Sequence, residues 1–546
     1  MKKNTNPVSR VLKLLSLEKK EISQIYFYAI LYGIIMLSIP VGIQALVSFA
    51  QANAVSASVV LLVILIVISV FISGVLQVNQ MKIIEKIQQK IFVRYAFGFA
   101  DRIPKINLSK VDDQYLPELV NRFFDTLTLQ KKIAKILLDF PLALVQIFFG
   151  LLLLAFYHPI FIAFGLFLIM VVGFILYFSG SRGLDTSLEE STHKYKVVAW
   201  LEEMARIIRS IKFSKSPGFS MNKADGDITN YLQSRTAHFK VLLLQYKTLV
   251  GFKTLVTASM LIIGSYLMIN QQLTVGQFIA AEIVILTIIS SVEKIIINLD
   301  SVYDVLTAIE KIEQVIDKES EQQGSVQYIP TKQGMKVSLH DLEFSFPGSQ
   351  PVLKDINITA EANEKICIKG EEGSGKSTLL RLLASIYNDY KGNILLDDIP
   401  LRNYDLQSLR LRMGLMISQQ DIFAGTLLEN INMGLEPVDM GEIKELSSKI
   451  GLTDFLATLK NGFDTKLNTY GRKLPGNVIK KILLLRAIIN KPALVLLEEP
   501  WHGLDEQSQK QIKNYLLHEM KSSTVFIISN DAAFAKECDK IISLKN

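Results

Sequence analysis

The chain has 546 residues, of which 49% are hydrophobic, and its mean hydropathy is +0.30. It is therefore too apolar for an ordinary soluble protein and too long for a single domain. The net charge of +7 does not indicate a nucleic-acid partner, because the basic residues form no aromatic-interleaved patch. The two cysteines, Cys367 and Cys538, lie far apart in the sequence, which argues against a disulfide framework and favours a reducing compartment.

Six apolar stretches are each long enough to cross a bilayer, which takes about 20 helical residues. They lie at about 25–49, 58–77, 137–157, 160–180, 248–269 and 275–299. Two long intervals, 78–136 and 181–247, contain eleven Lys and Arg residues each, whereas the short connections contain no charged residue. Because positively charged loops stay in the cytoplasm, we expect both termini and both long intervals to be cytoplasmic.

Two charged residues lie in or beside the last two apolar stretches. Glu282 lies inside the sixth stretch, and Lys253 lies near the start of the fifth. A charge within a membrane is a candidate functional residue because its burial there is costly. Glu282 either lines a substrate path or pairs with Lys253 or with a polar group of a neighbouring helix. We expect Lys253 to extend its ammonium group toward the cytoplasmic interface.

The sequence changes character after the sixth stretch. The segment 321–334 is polar, contains Gly and Pro, and is predicted to be a linker. Beyond it, apolar strand-like runs alternate with helical patterns, which is typical of an α/β domain with a largely parallel sheet. We therefore predict a multi-domain chain with an all-α transmembrane domain at 1–320, built on six helices, and an α/β domain at 335–546.

The segment GEEGSGKST directly follows one of these strand-like runs and precedes a helical pattern. Glycines in such a segment let backbone N–H groups surround the α- and β-phosphates of a nucleotide. The lysine then reaches the β/γ oxygens and the serine coordinates Mg²⁺. The sequence therefore predicts a P-loop domain that binds ATP and Mg²⁺. The predicted nucleotide-contacting residues are Gly370, Glu371, Glu372, Gly373, Ser374, Gly375, Lys376, Ser377 and Thr378.

Two carboxylates, Glu498 and Glu499, end a second strand-like run, ALVLLEEP. In nucleotide hydrolysis one acidic group orders the metal shell and another polarises the attacking water. Paired carboxylates at a strand end can also be solvated turn residues. Because the same domain contains a phosphate loop, we favour the catalytic interpretation.

With these motifs, the whole chain resembles an ATP-binding cassette exporter of the half-transporter type, in which six membrane helices precede one nucleotide-binding domain. FSFPG resembles the adenine-stacking loop, with Phe346 at the aromatic position. ISQQDIFAGTLLENI resembles the glutamine loop, and this implies that Gln419 contacts the metal and the attacking water. HGLD, which ends in Asp505, resembles a dimer-interface loop.

The chain departs from this family in the segment LPGNV, which contains Pro475, Gly476 and Asn477. The family signature at this place, Leu-Ser-Gly-Gly-Gln, contacts the γ-phosphate held by the opposite subunit. Proline has neither a hydroxyl nor an N–H group, so each lost charge-assisted bond is expected to cost about 1.5–3 kcal/mol. The helix dipole, with Lys480 and Lys481 nearby, still favours an anion. The alternative is a helix start that binds no ligand.

Two further departures concern the catalytic residues. Asn530 stands where the family has a switch histidine, and it can donate a hydrogen bond but cannot carry a charge. Glu498 replaces the aspartate that, with Ser377, orders the metal. Glu499 matches the general-base position of the family. We therefore expect the chain to bind ATP well and to hydrolyse it slowly.

Within the family, the membrane half most resembles the type I secretion and bacteriocin-exporter branch. This implies an ATP-driven exporter of a polypeptide in the bacterial inner membrane, in contact with membrane lipid, with a periplasmic adaptor and an outer-membrane channel as partners. Only about 24 residues precede the first span, so we expect no peptidase domain there. Alternatives are a lipid or drug exporter and a slow-turnover, nucleotide-gated scaffold or regulator. We expect a homodimer rather than a heterodimer.

Overall fold

The structure is a computed structural model that describes residues 6–52, 57–111, 115–329, 334–418 and 421–544, with the side chains of 175–179 and 181 excepted. The chain divides into two compact units. The first unit comprises Met1–Pro104 and Tyr115–Lys318, and the second comprises Lys105–Gln114 and Glu319–Asn546.

All regular elements described in the first unit are helices. The α-helices are α1 (Pro7–Ser16), α2 (Lys19–Met36), α3 (Ser38–Gln51), α4 (Ala57–Arg102), α5 (Leu116–Val120), α6 (Asp125–Tyr157), α7 (Ile160–Arg206), α8 (Ile208–Lys212), α9 (Phe219–Ile269), α10 (Val275–Ile297) and α11 (Leu299–Ile316). Helices α4, α7 and α9 contain 46, 47 and 51 residues. At about 1.5 Å per residue each is more than twice as long as the hydrocarbon core of a bilayer is thick. They therefore extend well beyond the thickness of a membrane.

Five helical stretches of the described chain are long and apolar enough to cross a membrane. They are Lys19–Gln51, Ala57–Lys105, Leu116–Tyr157, Phe219–Ile269 and Val275–Ile316. These stretches contain five of the six predicted spans. The remaining predicted span, 160–180, lies in α7, where the apolar helix Ile160–Phe174 is shorter. The chain is thus a membrane-spanning protein, and its sixth span stays a prediction.

Helices α6, α9 and α10 pack their apolar faces together in the first unit. Leu154 of α6, Val256 of α9 and Ile288 of α10 are fully buried in this core. The start of α10 is fixed by a capping box. The hydroxyl of Thr274 accepts a hydrogen bond from the amide of Gln277 at 3.2 Å, and the Gln277 side chain accepts one from the amide of Thr274 at 2.9 Å. The position of every α10 residue is therefore set relative to the short connection before it.

The second unit is an α/β domain. Its strands are β1 (Val337–Phe344), β2 (Leu353–Ala360), β3 (Lys365–Gly370), β4 (Lys391–Leu396), β5 (Ile399–Pro400), β6 (Met413–Met416), β7 (Gly425–Thr426), β8 (Lys466–Leu467), β9 (Leu494–Glu498), β10 (Thr524–Ile528) and β11 (Lys540–Leu544). Its α-helices are α12 (Lys376–Leu383), α13 (Leu406–Arg410), α14 (Leu427–Asn432), α15 (Met440–Lys449), α16 (Thr453–Thr458), α17 (Gly476–Ile488), α18 (Glu506–Asn514) and α19 (Ala532–Glu537).

The central sheet of this unit is parallel, in the order β11-β3-β10-β9-β6. Every residue of β10 is buried, which explains its continuous apolar sequence. Ile528, at the end of β10, pairs with Ile368 of β3 and with Glu498 of β9. The segments that follow these three strands therefore meet at one edge of the sheet, where open α/β folds bind ligands. A second, antiparallel sheet of order β2-β1-β4-β5 was not predicted.

Part of the segment predicted to be a linker is hydrogen-bonded along the second unit. The amide of Gly324 donates to the carbonyl of Tyr404 at 2.9 Å. Gly324 has no room for a side chain, because a Cβ would lie 2.0 Å from the carbonyl carbon of Asn403. The Arg410 guanidinium donates two hydrogen bonds to the Glu321 carboxylate, at 2.7 and 2.8 Å. The polar composition is compatible with such an attachment because polar and backbone groups make the contacts.

Candidate nucleotide-binding site

The loop between β3 and α12 contains the predicted phosphate-binding segment. Gly373 and Gly375 have φ values of 86° and 84°, in the left-handed region that favours glycine. A Cβ on Gly375 would lie 2.7 Å from Cδ2 of Leu353, so this position also needs glycine for close packing. Ser374 Oγ donates a hydrogen bond to the carbonyl of Glu371 at 2.8 Å and fixes the turn. The loop leads into the first turn of α12, where a helix start presents N–H groups without intrahelical partners.

Lys376, the first residue of α12, folds its side chain back over this loop. Its ammonium group donates hydrogen bonds to the carbonyls of Gly370 at 2.8 Å and Glu371 at 2.6 Å. The cation is thus held within the loop by acceptors that a phosphate group can replace. Of the other predicted residues in the segment, Glu371, Glu372 and Gly373 are exposed, whereas Ser374 and Thr378 are buried.

Glu498, the last residue of β9, reaches the phosphate loop. Ser377 Oγ donates a hydrogen bond to one oxygen of Glu498, and the backbone amide of Ser418 donates to the other at 2.8 Å. Glutamate in place of aspartate therefore bridges the loop and the segment that follows β6. A hydroxyl and a carboxylate that meet in this way fit Mg²⁺, which prefers oxygen ligands. Gln419, predicted to contact the metal and the attacking water, directly follows Ser418 and lies outside the described residues.

Glu499 follows in a left-handed backbone conformation, with φ of 46°. Its amide donates to the carbonyl of Ile528 at 3.0 Å, and its carbonyl accepts a hydrogen bond from the amide of His502 at 3.2 Å. Such a backbone costs a residue with a side chain about 1–3 kcal/mol and is found at functional sites. These bonds hold the backbone of Glu499 at the edge of the sheet, beside the end of β10.

Asn530 lies two residues beyond β10, at the same edge of the sheet, and is exposed. The next residue, Asp531, caps α19 by accepting hydrogen bonds from the amides of Ala533 at 2.9 Å and Phe534 at 3.1 Å. A hydrogen bond from Lys513, together with these backbone bonds, lowers the pKa of Asp531. The capped helix start thus fixes the backbone next to Asn530.

Phe346 is half-buried just after β1, in a group of three aromatic rings. Its ring meets those of Phe344 and Tyr387 edge-on, with centroid distances of 5.0 and 5.6 Å. Such contacts hold an aromatic ring in a defined orientation. The pairing of β1 with β2 connects this group to the phosphate loop, because Leu353 pairs with Phe344 and would meet a Cβ on Gly375.

The altered signature segment begins α17 at Gly476, directly after Pro475. Pro475, Gly476 and Asn477 are exposed. Oδ1 of Asn477 accepts a hydrogen bond from the amide of Val478 at 2.9 Å and so occupies one N–H group of the first turn. Among the described residues, no hydrogen bond uses the amides of Gly476 and Asn477, and none joins this segment to the phosphate loop of the same chain.

The two lysines in the first turns of α17 donate hydrogen bonds to backbone carbonyl groups outside the helix. Lys480 Nζ donates to the carbonyl of His502 at 2.6 Å, and Lys481 Nζ donates to that of Gly451 at 2.7 Å. Burial lowers the pKa of Lys480. Lys481 is buried and also lies 3.9 Å from a carboxylate oxygen of Asp505. In this structure both ammonium groups are directed at carbonyl groups outside the signature segment, and their contribution to an anion site at the helix start stays a prediction.

Two contacts near the site had no signal in the sequence. Ser418 contributes a backbone amide, and no side-chain pattern reveals such a donor. The thiols of Cys367, in β3, and Cys538 interact despite their distance along the chain, and Cys538 lowers the pKa of the Cys367 thiol. Both contacts depend on the order of strands in the sheet.

Two family models match the chain: the ABC transporter transmembrane region over residues 22–292 and the ABC transporter over residues 353–502. An ATP-dependent lipid A-core flippase of Saccharophagus degradans is 29% identical over 241 residues, which are 44% of this chain and 41% of the flippase. A multidrug export ATP-binding/permease protein of Staphylococcus aureus is 30% identical over 236 residues, which are 43% of this chain and 41% of that protein. The chain thus spans less than half the length of these relatives.

A solved structure of a bacterial Atm1-family ABC exporter with ATP bound has a similar fold. The TM-score is 0.84, and the match covers 97% of this chain and 94% of the other at 16% sequence identity. The likeness shows the fold: a helical transmembrane domain of the type I ABC exporter kind, followed by an α/β nucleotide-binding domain. With one transmembrane region and one ATP-binding cassette, the chain belongs to the ABC transporter family.

Proposed function

We propose that the chain is a half-transporter and that two copies form an ATP-driven exporter. The observation that carries this proposal is the hydrogen bond from Ser377 to Glu498, which joins a complete phosphate loop to an acidic strand end in a membrane-spanning chain. The names of the flippase and the multidrug export protein support an exporter. The exporter would cross the bacterial inner membrane six times, with both termini and the cassette in the cytoplasm.

Each site residue then has a defined task. The amides of the phosphate loop and the ammonium group of Lys376 hold the phosphates of ATP. Ser377 and Glu498 hold Mg²⁺, which when bound neutralises charge on the phosphate oxygens. Glu499 accepts a proton from the attacking water, and Asn530 donates a hydrogen bond to the γ-phosphate. Phe346 stacks on the adenine.

The working unit is a dimer because one chain does not complete the site. The exposed segment from Pro475 to Asn477 makes no hydrogen bond to its own phosphate loop among the described residues, and its first two amides remain for a ligand. In a symmetric dimer each chain offers this segment to the nucleotide of the other. A homodimer suffices, because a heterodimer would still contain the altered segment and Asn530.

Turnover is slow in this proposal. Pro475 supplies no donor, and an exposed Asn530 cannot become charged, so both weaken contacts to the γ-phosphate. The same observation supports the second candidate, a nucleotide-gated scaffold or regulator that binds ATP and hardly hydrolyses it. Glu499 favours the exporter, because a general base serves no purpose in a protein that only binds.

For the cargo, we propose an amphipathic molecule. The predicted cargo is a polypeptide, which would leave through a periplasmic adaptor and an outer-membrane channel. A lipid or a drug-like compound is the alternative, since one relative is named a lipid A-core flippase and another a multidrug export protein. The fold does not discriminate between them, because one transporter fold serves many cargoes.

The proposal is tested with the full chain reconstituted in lipid vesicles. We expect Mg²⁺-dependent ATPase activity that vanadate inhibits, because vanadate mimics the transferred phosphoryl group in the closed dimer. ATP binding without vanadate-sensitive hydrolysis would support the regulator instead. Absence of both binding and hydrolysis would overturn the assignment of the site.

A further inference from the structure

Glu282 is the only Asp, Glu, Lys or Arg residue in the intervals 22–81, 140–181 and 254–292, which contain most of the membrane-spanning sequence. It lies seven residues after Val275, the first residue of α10. This separation is about 10 Å along the helix axis, about a third of the hydrocarbon thickness of a bilayer. Glu282 therefore lies inside the apolar stretch of α10, nearer the end that follows the short connection.

Glu282 lies at the border between the covered and the uncovered side of α10, because Ile289, about 20° from it around the helix, is only 7% exposed. Val275 and Leu286 lie within about 40° of it around the helix, and they are 41% and 53% exposed. Ala281 and Ile288 point about 100–120° away and are fully buried against the neighbouring helices. Glu282 itself is half-buried, beside the exposed Val275 and Leu286.

No cation of the described chain neutralises Glu282. Lys253, one of its predicted partners, instead forms an ion pair with Glu293 at 2.5 Å, so that predicted pairing is wrong. None of the hydrogen bonds or ion pairs of the described residues includes Glu282. A second copy of the chain brings no counter-ion at this depth either, because its spans have the same sequence and contain no Lys or Arg in these intervals.

An unpaired carboxylate is costly in a bilayer, by about 2.5–3.5 kcal/mol on insertion scales, and such residues face a protein interior or a transport path rather than lipid. We propose that Glu282 determines cargo specificity: it faces the transport path of the dimer and binds the positive charge of an amphipathic cation. Leu286 and Val275, exposed beside it, contact the apolar body of this cargo. The inference rests on the proposed exporter function and narrows its cargo to cations, either small lipophilic ones or the basic segment of a polypeptide.

The test measures binding of labelled tetraphenylphosphonium to the full chain in lipid nanodiscs, with neutral triphenylphosphine oxide as the matched compound. We expect the cation to bind and the neutral compound not to compete. Glu282→Gln should weaken cation binding by about tenfold to a hundredfold, the usual range for a lost charge-assisted contact, whereas Glu282→Asp should retain most of it. Glu293→Gln is the control, because it removes a carboxylate that already has a partner.

A second arm separates the two sources of cation. A short amphipathic peptide of Lys and Leu should displace tetraphenylphosphonium if the cargo is a polypeptide, and it should not if the site at Glu282 takes only small cations. Equal binding of the charged and neutral compounds to the wild-type chain overturns the inference without any variant, as does unchanged cation binding by a Glu282→Gln variant of normal thermal stability. ATPase activity without cation binding overturns this inference alone. Absence of ATP binding and hydrolysis overturns the exporter itself.

Discussion

Ser377 and Glu498 are 121 residues apart in the sequence, yet the hydroxyl of Ser377 donates a hydrogen bond to the carboxylate of Glu498. The sheet order brings them together, because β3, which precedes the phosphate loop, and β9, which ends at Glu498, lie on either side of β10. The second oxygen of Glu498 accepts a hydrogen bond from Ser418 at 2.8 Å, so the carboxylate is held from two sides.

Glu498→Gln should therefore impair the metal site while leaving the shape of the loop intact. An amide presents one oxygen and no charge, so we expect Mg²⁺ to be required at higher concentration and the ATPase rate to fall about tenfold to a hundredfold. Glu498→Asp, which keeps the charge, is the control and should retain most of the activity. Titration of ATPase activity against Mg²⁺ measures the effect. An unchanged Mg²⁺ requirement in Glu498→Gln would remove Glu498 from the metal site.

Lys376→Ala should abolish or greatly weaken nucleotide binding. The ammonium group lies inside the loop, bonded to the carbonyls of Gly370 and Glu371, where it can meet the β/γ-phosphate oxygens. Lys354→Ala removes an exposed lysine of β2 and is the matched control. Equilibrium binding of a fluorescent ATP analogue to the purified protein reports the affinity. Equal affinity of Lys376→Ala and Lys354→Ala for the ATP analogue would contradict the assignment of the phosphate loop.

Restoring the altered positions should raise the ATPase rate. The combination of Asn530→His, Pro475→Ser and Asn477→Gly returns donors and backbone access to the γ-phosphate, at about 1.5–3 kcal/mol for each charge-assisted bond. Steady-state hydrolysis by the reconstituted protein measures the gain. Adding Glu499→Gln to the wild type or to the combined variant should abolish ATP hydrolysis, since it removes the general base. Wild-type hydrolysis at the ordinary rate of the family, insensitive to Glu499→Gln, would mean that the site is misread.

The cap of α19 predicts a pH dependence of cassette stability. The pKa of Asp531 is below its usual 3.8, first because of Lys513 and then because of the backbone amides. The carboxylate therefore contributes stability that is fully present above the ordinary pKa and is lost as the pH falls through the lowered one. Asp531→Asn keeps a capping side chain and loses only the charge, so we expect a cost of no more than about 1 kcal/mol at pH 7.

Asp531→Ala should cost about 1 kcal/mol more than Asp531→Asn, because alanine also removes the cap. Denaturant unfolding of the three proteins at pH 7 and at a pH well below 3.8 gives the comparison. The difference between wild type and Asp531→Asn should shrink in acid, whereas the difference between the two variants should persist. If the wild type instead exceeds Asp531→Asn in free energy of unfolding by more in acid than at pH 7, the charge of Asp531 does not stabilise the cassette in this way.

Membrane orientation is tested with single cysteines in a chain whose Cys367 and Cys538 are replaced by alanine. Gln272, in the charge-free connection before α10, and Ser216, between α8 and α9, are both exposed. We expect Gln272→Cys in intact cells to react with an impermeant thiol reagent and Ser216→Cys to react only after permeabilisation. The reverse pattern would invert the proposed topology.

Features that depend on consecutive residues could be predicted from the sequence. Hydropathy located five of the six predicted spans. The phosphate loop was recognisable because its glycine positions and backbone demands lie within nine neighbouring residues, Gly370 to Thr378. The start of α17 at Gly476 also follows from local chemistry, since Pro475 cannot continue a preceding helix but suits a helix start. The absence of a signature serine is likewise a fact of the sequence.

The tertiary structure decided which partners the polar side chains take. Lys481 was expected to favour an anion, but it donates to the carbonyl of Gly451. Lys253 pairs with Glu293 and leaves Glu282 without a counter-ion among the described residues. A long side chain has several acceptors within reach of its flexible stem, and packing between elements distant in sequence selects one of them. Hydropathy and glycine positions act over a few residues, whereas these contacts exist only once the sheet order and the helix packing are formed.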